Sequence, residues 1–179
     1  GNGGVQDVVF QGDLQKWKKF ANSLMLRLAM RLTKVDPTMA QEYVTKAIAG
    51  GLMESNADNA YIQHLEGPGG VNRNGIGEVF LADNNQRLSD TFINYLTDTN
   101  DPRLQAFATT NVEDVYNGLP NGYDITTIRD YENLPADSSV SIDAYSTTNP
   151  DMVTVSAPMF FQTYAEVEFL LAEAALRGW

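Results

Sequence analysis

The sequence has no cysteine, one histidine, and only 12 lysines and arginines against 23 aspartates and glutamates. Without cysteine there is no disulfide framework, no thiolate zinc site and no thiol nucleophile. Cysteine-free chains occur in reducing and oxidising compartments alike, so this absence does not fix a compartment. A formal net charge of −11 argues against nucleic acid as a partner, because backbone binding needs clustered cations to displace counterions. It also disfavours anionic membrane surfaces and anionic substrates, which leaves neutral ligands or proteins. No apolar run approaches the roughly 20 residues of a membrane span. The opening "GNGGVQDVVF" lacks an initiator methionine and the basic and apolar regions of a signal peptide. With Trp179 directly following a helical pattern, the chain reads as an excised or processed piece.

What is present suits a packed core: 179 residues, 43% of them hydrophobic, are enough for one domain. "DLQKWKKFANSLMLRLAMRLTKVDP" spaces Trp17, Phe20, Ala21, Leu24, Met25, Leu28 and Leu32 by three and four, which predicts a helix from about Asp13 to Thr33 with that face buried. "DPTMAQEYVTKAIAGG" adds a second helix, capped by Asp36, opened by Pro37 and ended by Gly50 and Gly51, with an apolar face through Ala40, Tyr43, Val44, Ala47 and Ile48. The short connection makes residues 13–51 an antiparallel hairpin of the kind that builds helical-repeat proteins.

Residues 52–88, rich in Gly and Asn, read as a long loop with one extended stretch around Glu78 to Leu81. Residues 89–109 return to helix, with Ser89 as a cap and Asp101-Pro102 opening a second short helix. Residues 110–156 form an irregular, surface-lying excursion. Residues 157–179 are read as a closing helix that Pro158 starts. It carries two apolar stripes, Phe160, Tyr164, Val167, Leu171, Ala174 and Phe161, Ala165, Phe169, Ala172, Leu176, so it should be buried against several neighbours. A hairpin partner is expected after Gly178.

Catalytic motifs are weak. His64 has no ligand spacing and no nucleophile elbow beside it. Gly67 to Gly77 matches no phosphate-binding pattern. "NADNA" and "ADSSVSID" lack the spacing and glycine of a calcium loop, which leaves calcium open and unsupported. Glu166 and Glu173, seven apart, share a helical face roughly 10 Å apart along the axis. They could be a carboxylate pair for glycoside hydrolysis. The plainer reading pairs them with cations such as Arg27 and Arg31. Four tyrosines, Tyr116, Tyr123, Tyr131 and Tyr145, fall in the irregular part, where a ring can stack on a sugar face, serve an interface, or pin a loop to the core. Tyr116, Tyr123 and Tyr131 are the candidate ligand-binding residues. No catalytic residue, metal ligand or cofactor is assigned.

"WKKFANSLMLRLAMRL", "NDPRL" and "APMFFQTYAEVEFLLAEAALRGW" together resemble the SusD/RagB family of outer-membrane lipoproteins, in its SusD-like branch. The specific parts are Trp17 to Ser23 and Tyr164 to Ala174, and the resemblance runs from about Asp13 to Trp179. It implies a mostly α fold of tetratricopeptide-like helical hairpins with a long, irregular, loop-rich insertion, here part of a larger single domain. It further implies a surface-exposed lipoprotein of a Bacteroidetes-type cell that binds glycan, or in some cases peptide, and delivers it to a SusC-like TonB-dependent transporter without catalysis. Family members are longer and carry a lipidated cysteine behind a signal peptide, which places any anchor outside this sequence. The family's binding residues are not held in a motif that maps here, so the three tyrosines rest on physics alone. A peptide-binding importer subunit and a helical-repeat adaptor stand as alternatives.

Overall fold

A computed structural model describes residues 7–70, 72–83, 85–124 and 126–179. The described residues are mainly helical, with seven α-helices and two short strands, and no helix among them is long and apolar enough to cross a membrane. They divide into two compact units. One runs to Gln63 and resumes at Pro158–Trp179; the other is His64–Ala157.

The first unit begins with α1 (Leu14–Arg31), whose Asp13 cap accepts from the amides of Gln15 and Lys16. α2 (Pro37–Gly50) starts as expected on Asp36 and Pro37 and stops at Gly51, in a left-handed conformation (φ 90°) that favours glycine. The buried face of α1 differs from the sequence-based expectation. Ser23, Leu26, Ala29 and Met30 are buried, whereas Trp17 and Leu28 remain exposed. α1 is apolar around more than half its circumference, so periodicity fits two stripes, and packing selects the one meeting Val44 and Ala47 of α2. Ser23 suits that face because its Oγ accepts from the Met53 amide (3.0 Å) and its carbonyl accepts from Gln162 Nε2 (3.0 Å).

A short antiparallel ribbon follows, β1 (Ala60–Ile62) against β2 (Met159–Gln162), with Tyr61 opposite Phe160 and a bulge between Ala60 and Tyr61. Pro158 therefore does not open the closing helix. Residues 159–162 pair as a strand, and α7 (Tyr164–Leu176) begins after Thr163, whose Oγ1 accepts from the Glu166 amide. Thr163-x-x-Glu166 has the spacing of a capping box, but the Glu166 carboxylate is used by Arg27 instead. Only one side of α7 is buried, at Val167 and Ala174. Phe169 (78% exposed) and Leu176 (90%) lie open, so the expected second buried stripe is not covered by the described residues.

In the second unit, Gly75–Ala82 is helical (α3), not a loop with an extended stretch at Glu78 to Leu81. Asn74 caps it by accepting from the amides of Ile76 and Gly77. The Gly-rich composition hid a sound N-cap followed by the apolar run Val79, Phe80, Leu81. α4 (Asp90–Asp98) follows Ser89, whose side chain makes no capping bond, and α5 (Leu104–Phe107) begins after Arg103 and not at Pro102, with Asp101 Oδ1 accepting from the Arg103 amide; α6 (Ile128–Tyr131) is a single turn within the irregular excursion. The unit buries Ile93, Leu96, Ala108, Ile128, Tyr145 and Val155.

Candidate functional site

Three segments of the second unit are laced by backbone hydrogen bonds. Leu88 and Leu119 exchange one bond, Asp90 N donates to Leu119 O, and Ser146 bridges Asn117 and Leu88. Gly118 makes this possible. A Cβ there would lie 2.3 Å from Asp90 Cα, inside any permissible contact. From this support the chain enters a turn at Pro120-Asn121-Gly122-Tyr123, closed by Tyr123 N donating to Pro120 O (3.3 Å) with Gly122 at φ 86°. That bond makes Pro120 the first residue and Gly122 the third, where a positive φ fits a type II turn. The turn is clamped to α4 by Asn121 Nδ2, which donates to Thr91 Oγ1 at 3.0 Å.

The next turn is built on Asp124. Its Oδ1 accepts from the amides and hydroxyls of both Thr126 and Thr127. These bonds, led by the Thr126 hydroxyl, hold the carboxyl down at about 2. The turn leads into α6 and delivers Tyr131 beside Tyr123, with ring centroids 5.1 Å apart and planes at 56°. Tyr123 is 39% exposed and Tyr131 50%. A depression of about 330 Å³ opens beside Tyr123, lined also by Asn85, Leu119, Asp124 and Ile142. An exposed aromatic pair edged by neutral amides can stack on an apolar face while hydrogen-bonding hydroxyl groups.

Of the three tyrosines singled out in the sequence, Tyr123 and Tyr131 come together. Tyr116 is half-buried, and among the described residues no ring contact joins it to the pair. Tyr145 instead anchors the loop: it is buried (3% exposed) and its phenol donates to Glu132. Burial, reinforced by that bond, pushes its ionisation above the ordinary tyrosine range. Sequence reasoning missed Asn121 and Asp124, although Pro-Asn-Gly and Asp-x-Thr-Thr are both turn signals.

The acids considered for hydrolysis are otherwise engaged. Arg27 Nε and Nη2 hold Glu166 at 2.5 and 2.6 Å, with Nη2 also donating to Phe161 O; Glu173 pairs with Arg177 at 2.7 Å. Asp58 of "NADNA" accepts from Lys19 Nζ (3.0 Å) and the Glu54 amide (2.9 Å), which commits it to the fold. A larger hollow, about 440 Å³, lies between α1 and α2. Leu24, Met25, Leu28, Leu32, Met39 and Tyr43 line it, so it is apolar almost throughout and poorly suited to a hydroxyl-rich ligand.

Compared with known proteins, residues 1–179 match the SusD-like family model described as starch-binding and associating with the outer membrane. The chain belongs to the SusD-like family. Among solved structures it is similar to a chitin-binding protein (33% identity, TM-score 0.78), covering 97% of this chain and 38% of that one. It is also similar to a SusD homologue from Bacteroides vulgatus (30%, TM-score 0.75, covering 96% and 33%). A chitin-binding SusD homologue from Flavobacterium johnsoniae matches at 29% identity and TM-score 0.74, covering 97% and 33%. This SusD-like chain thus spans about a third of the length of these relatives. No curated protein matches it.

Proposed function

We propose that this SusD-like protein is the cell-surface glycan-binding component of a SusC/SusD-type outer-membrane uptake system, delivering oligosaccharide to a TonB-dependent transporter without catalysis. The observation that carries the reading is the exposed Tyr123–Tyr131 pair with neutral amides beside it. Stacking rings recognise the C–H face of a sugar, and Asn121 and Asn85 supply uncharged donors and acceptors to its hydroxyls. Such a site binds weakly, because hydrated hydroxyls must be given up on binding. A family described as starch-binding and relatives named chitin-binding both support a neutral glycan. Outer-membrane association in the family description supports a surface-exposed lipoprotein. Tyr116 is retained as a third contact, to be tested by its own substitution.

Native gel electrophoresis through soluble starch or glycol-chitin tests the binding: the protein is retarded by at least one, and Tyr123→Ala relieves the retardation. Co-purification with a TonB-dependent barrel from outer membranes tests the partner.

A second reading, docking of a peptide or protein, is favoured by the apolar α1–α2 hollow. It predicts that Leu28→Glu, at an exposed lining position, abolishes a peptide response while leaving glycan retardation intact.

A further inference from the structure

Asn2, Asn74, Asn117 and Asn121 each precede a glycine; Asn2 lies outside the described residues. In Asn-Gly the following amide nitrogen can reach the asparagine carboxamide carbon, because no Cβ obstructs its approach. Reaction then requires the peptide unit between the two residues to turn, so the fold decides which of them reacts. Asn74 is buried and engaged: its Oδ1 accepts from the Ile76 and Gly77 amides, Nδ2 donates to Ala157 O (3.0 Å), and the next peptide opens α3. Asn117 is exposed but pinned. Its carbonyl accepts from the Ser146 amide (2.6 Å), its amide donates to Ser146 Oγ (3.0 Å), its Nδ2 donates to Ala144 O (2.9 Å), and Gly118 lies against the backbone of Asp90. Asn121 differs from both. Among the described residues no hydrogen bond engages its carbonyl or the Gly122 amide, and both residues are exposed. Their peptide is the middle one of the turn, which can flip without displacing its flanks. Gly122, at φ 86° with open space where a Cβ would stand, tolerates the flip. Only Nδ2 restrains the side chain, through Thr91 Oγ1 at 3.0 Å and Asp90 Oδ1 at 3.4 Å.

We propose that Asn121 is a site of spontaneous covalent modification, where the turn before Tyr123 converts itself to isoaspartate while Asn74 and Asn117 are spared. The Gly122 nitrogen gives up its proton and bonds to Asn121 Cγ; the Cγ–Nδ2 bond breaks, and Nδ2 leaves with that proton as ammonia. Water then opens the five-membered imide. Opening at the main-chain carbonyl routes the chain through the former side chain, and no other reactant is needed. The product lacks the Nδ2 donor that clamps the turn to α4, and it sets a new carboxylate near Asp90, so repulsion replaces a hydrogen bond. The main chain also gains one methylene before Tyr123. The turn is thereby released from α4. The modification involves no ligand; its effect on binding rests on the glycan reading above.

The test is to age the folded protein in mildly alkaline buffer and follow each site by peptide mass spectrometry, with a parallel sample in concentrated urea. The tryptic peptide of residues 104–129 holds both Asn117 and Asn121, and fragment ions between them assign the change; the peptide of residues 74–87 reports Asn74. In the folded protein Asn121 should convert, mainly to isoaspartate, at least about tenfold faster than Asn74 or Asn117, whose hydrogen bonds must open first. In urea the three rates should converge. Equal rates in the folded protein, an intact Asn121, or the same preference for Asn121 in urea overturns the proposal. Release of the turn is read without ligand, as amide shifts for residues 90–91 and 120–123 in the aged protein, separated by its added charge on anion exchange; an unshifted spectrum overturns the release. Aged protein should also be retarded less than fresh protein by starch or glycol-chitin, and equal retardation overturns the effect on binding. Fresh protein that neither polymer retards contradicts the glycan reading, and leaves the modification, read by mass, standing.

Discussion

The buried phenol of Tyr145 donates its hydrogen bond to Glu132, the residue that follows Tyr131 and ends α6. A core side chain thereby fixes the end of the one-turn helix that presents half of the aromatic pair. Tyr145→Phe keeps the packing and removes the bond. It is expected to lower stability by about 1 kcal/mol, measured by urea denaturation, and to weaken glycan binding through a looser Tyr131. A variant as stable and as tight-binding as wild type would show that the bond does not position α6.

Gly118 lies against the backbone of Asp90, and a methyl group there would force the two strands of chain apart. Gly118→Ala is expected to cost about 1–3 kcal/mol, as overpacking does. It should also displace the Asn121–Thr91 clamp, seen as amide shifts for residues 88–91 and 117–123 in a nitrogen–proton correlation spectrum. Shifts confined to residue 118 would contradict this account.

The Asp124 carboxyl is held at about 2, against an ordinary 3.8, by the two threonines it caps. A depressed carboxylate contributes stability that is whole above its unfolded pKa and is lost as pH falls through the folded one. Binding at the tyrosine pair should therefore be level from neutrality down to about pH 4 and fail only below it. Asp124→Asn keeps an oxygen acceptor and should flatten the acid limb, whereas an acid limb unaltered in Asp124→Asn would point to another group.

Much of the first unit was legible in the sequence, because its signals are local. Asp13, Asp36, Pro37 and Gly51 act as caps and terminators as their chemistry predicts. The buried stripe of α1 was not legible, since Leu26 and Met30 are as periodic as Leu24 and Leu28, and only packing against α2 decides between them. The start of α7 was misjudged because Pro158 is a plausible first-turn residue, while β1, the strand that captures residues 159–162, lies nearly a hundred residues earlier. In the second unit, Tyr123 and Tyr131 could be named but not paired, because their meeting depends on the Asp124 turn and on Tyr145, an anchor distant in sequence.

The Arg27–Glu166 pair links α1 to α7 within the first unit, whereas the proposed glycan site is built from residues of the second. Both side chains are partly solvated, so Arg27→Ala should cost only about 1 kcal/mol in denaturation and leave oligosaccharide affinity unchanged. A loss of affinity in a folded Arg27→Ala protein would mean that the first unit takes part in binding.

The central claim, that this is a glycan receptor whose site is the Tyr123–Tyr131 pair, is tested most directly by isothermal titration of wild type and Tyr123→Ala. The ligands are neutral oligosaccharides, with oligopeptides as the counter-panel. The account predicts heat from one class of neutral glycan, its marked reduction in the variant, and none from peptides. Heat from peptides alone would contradict it and move the protein to the docking reading.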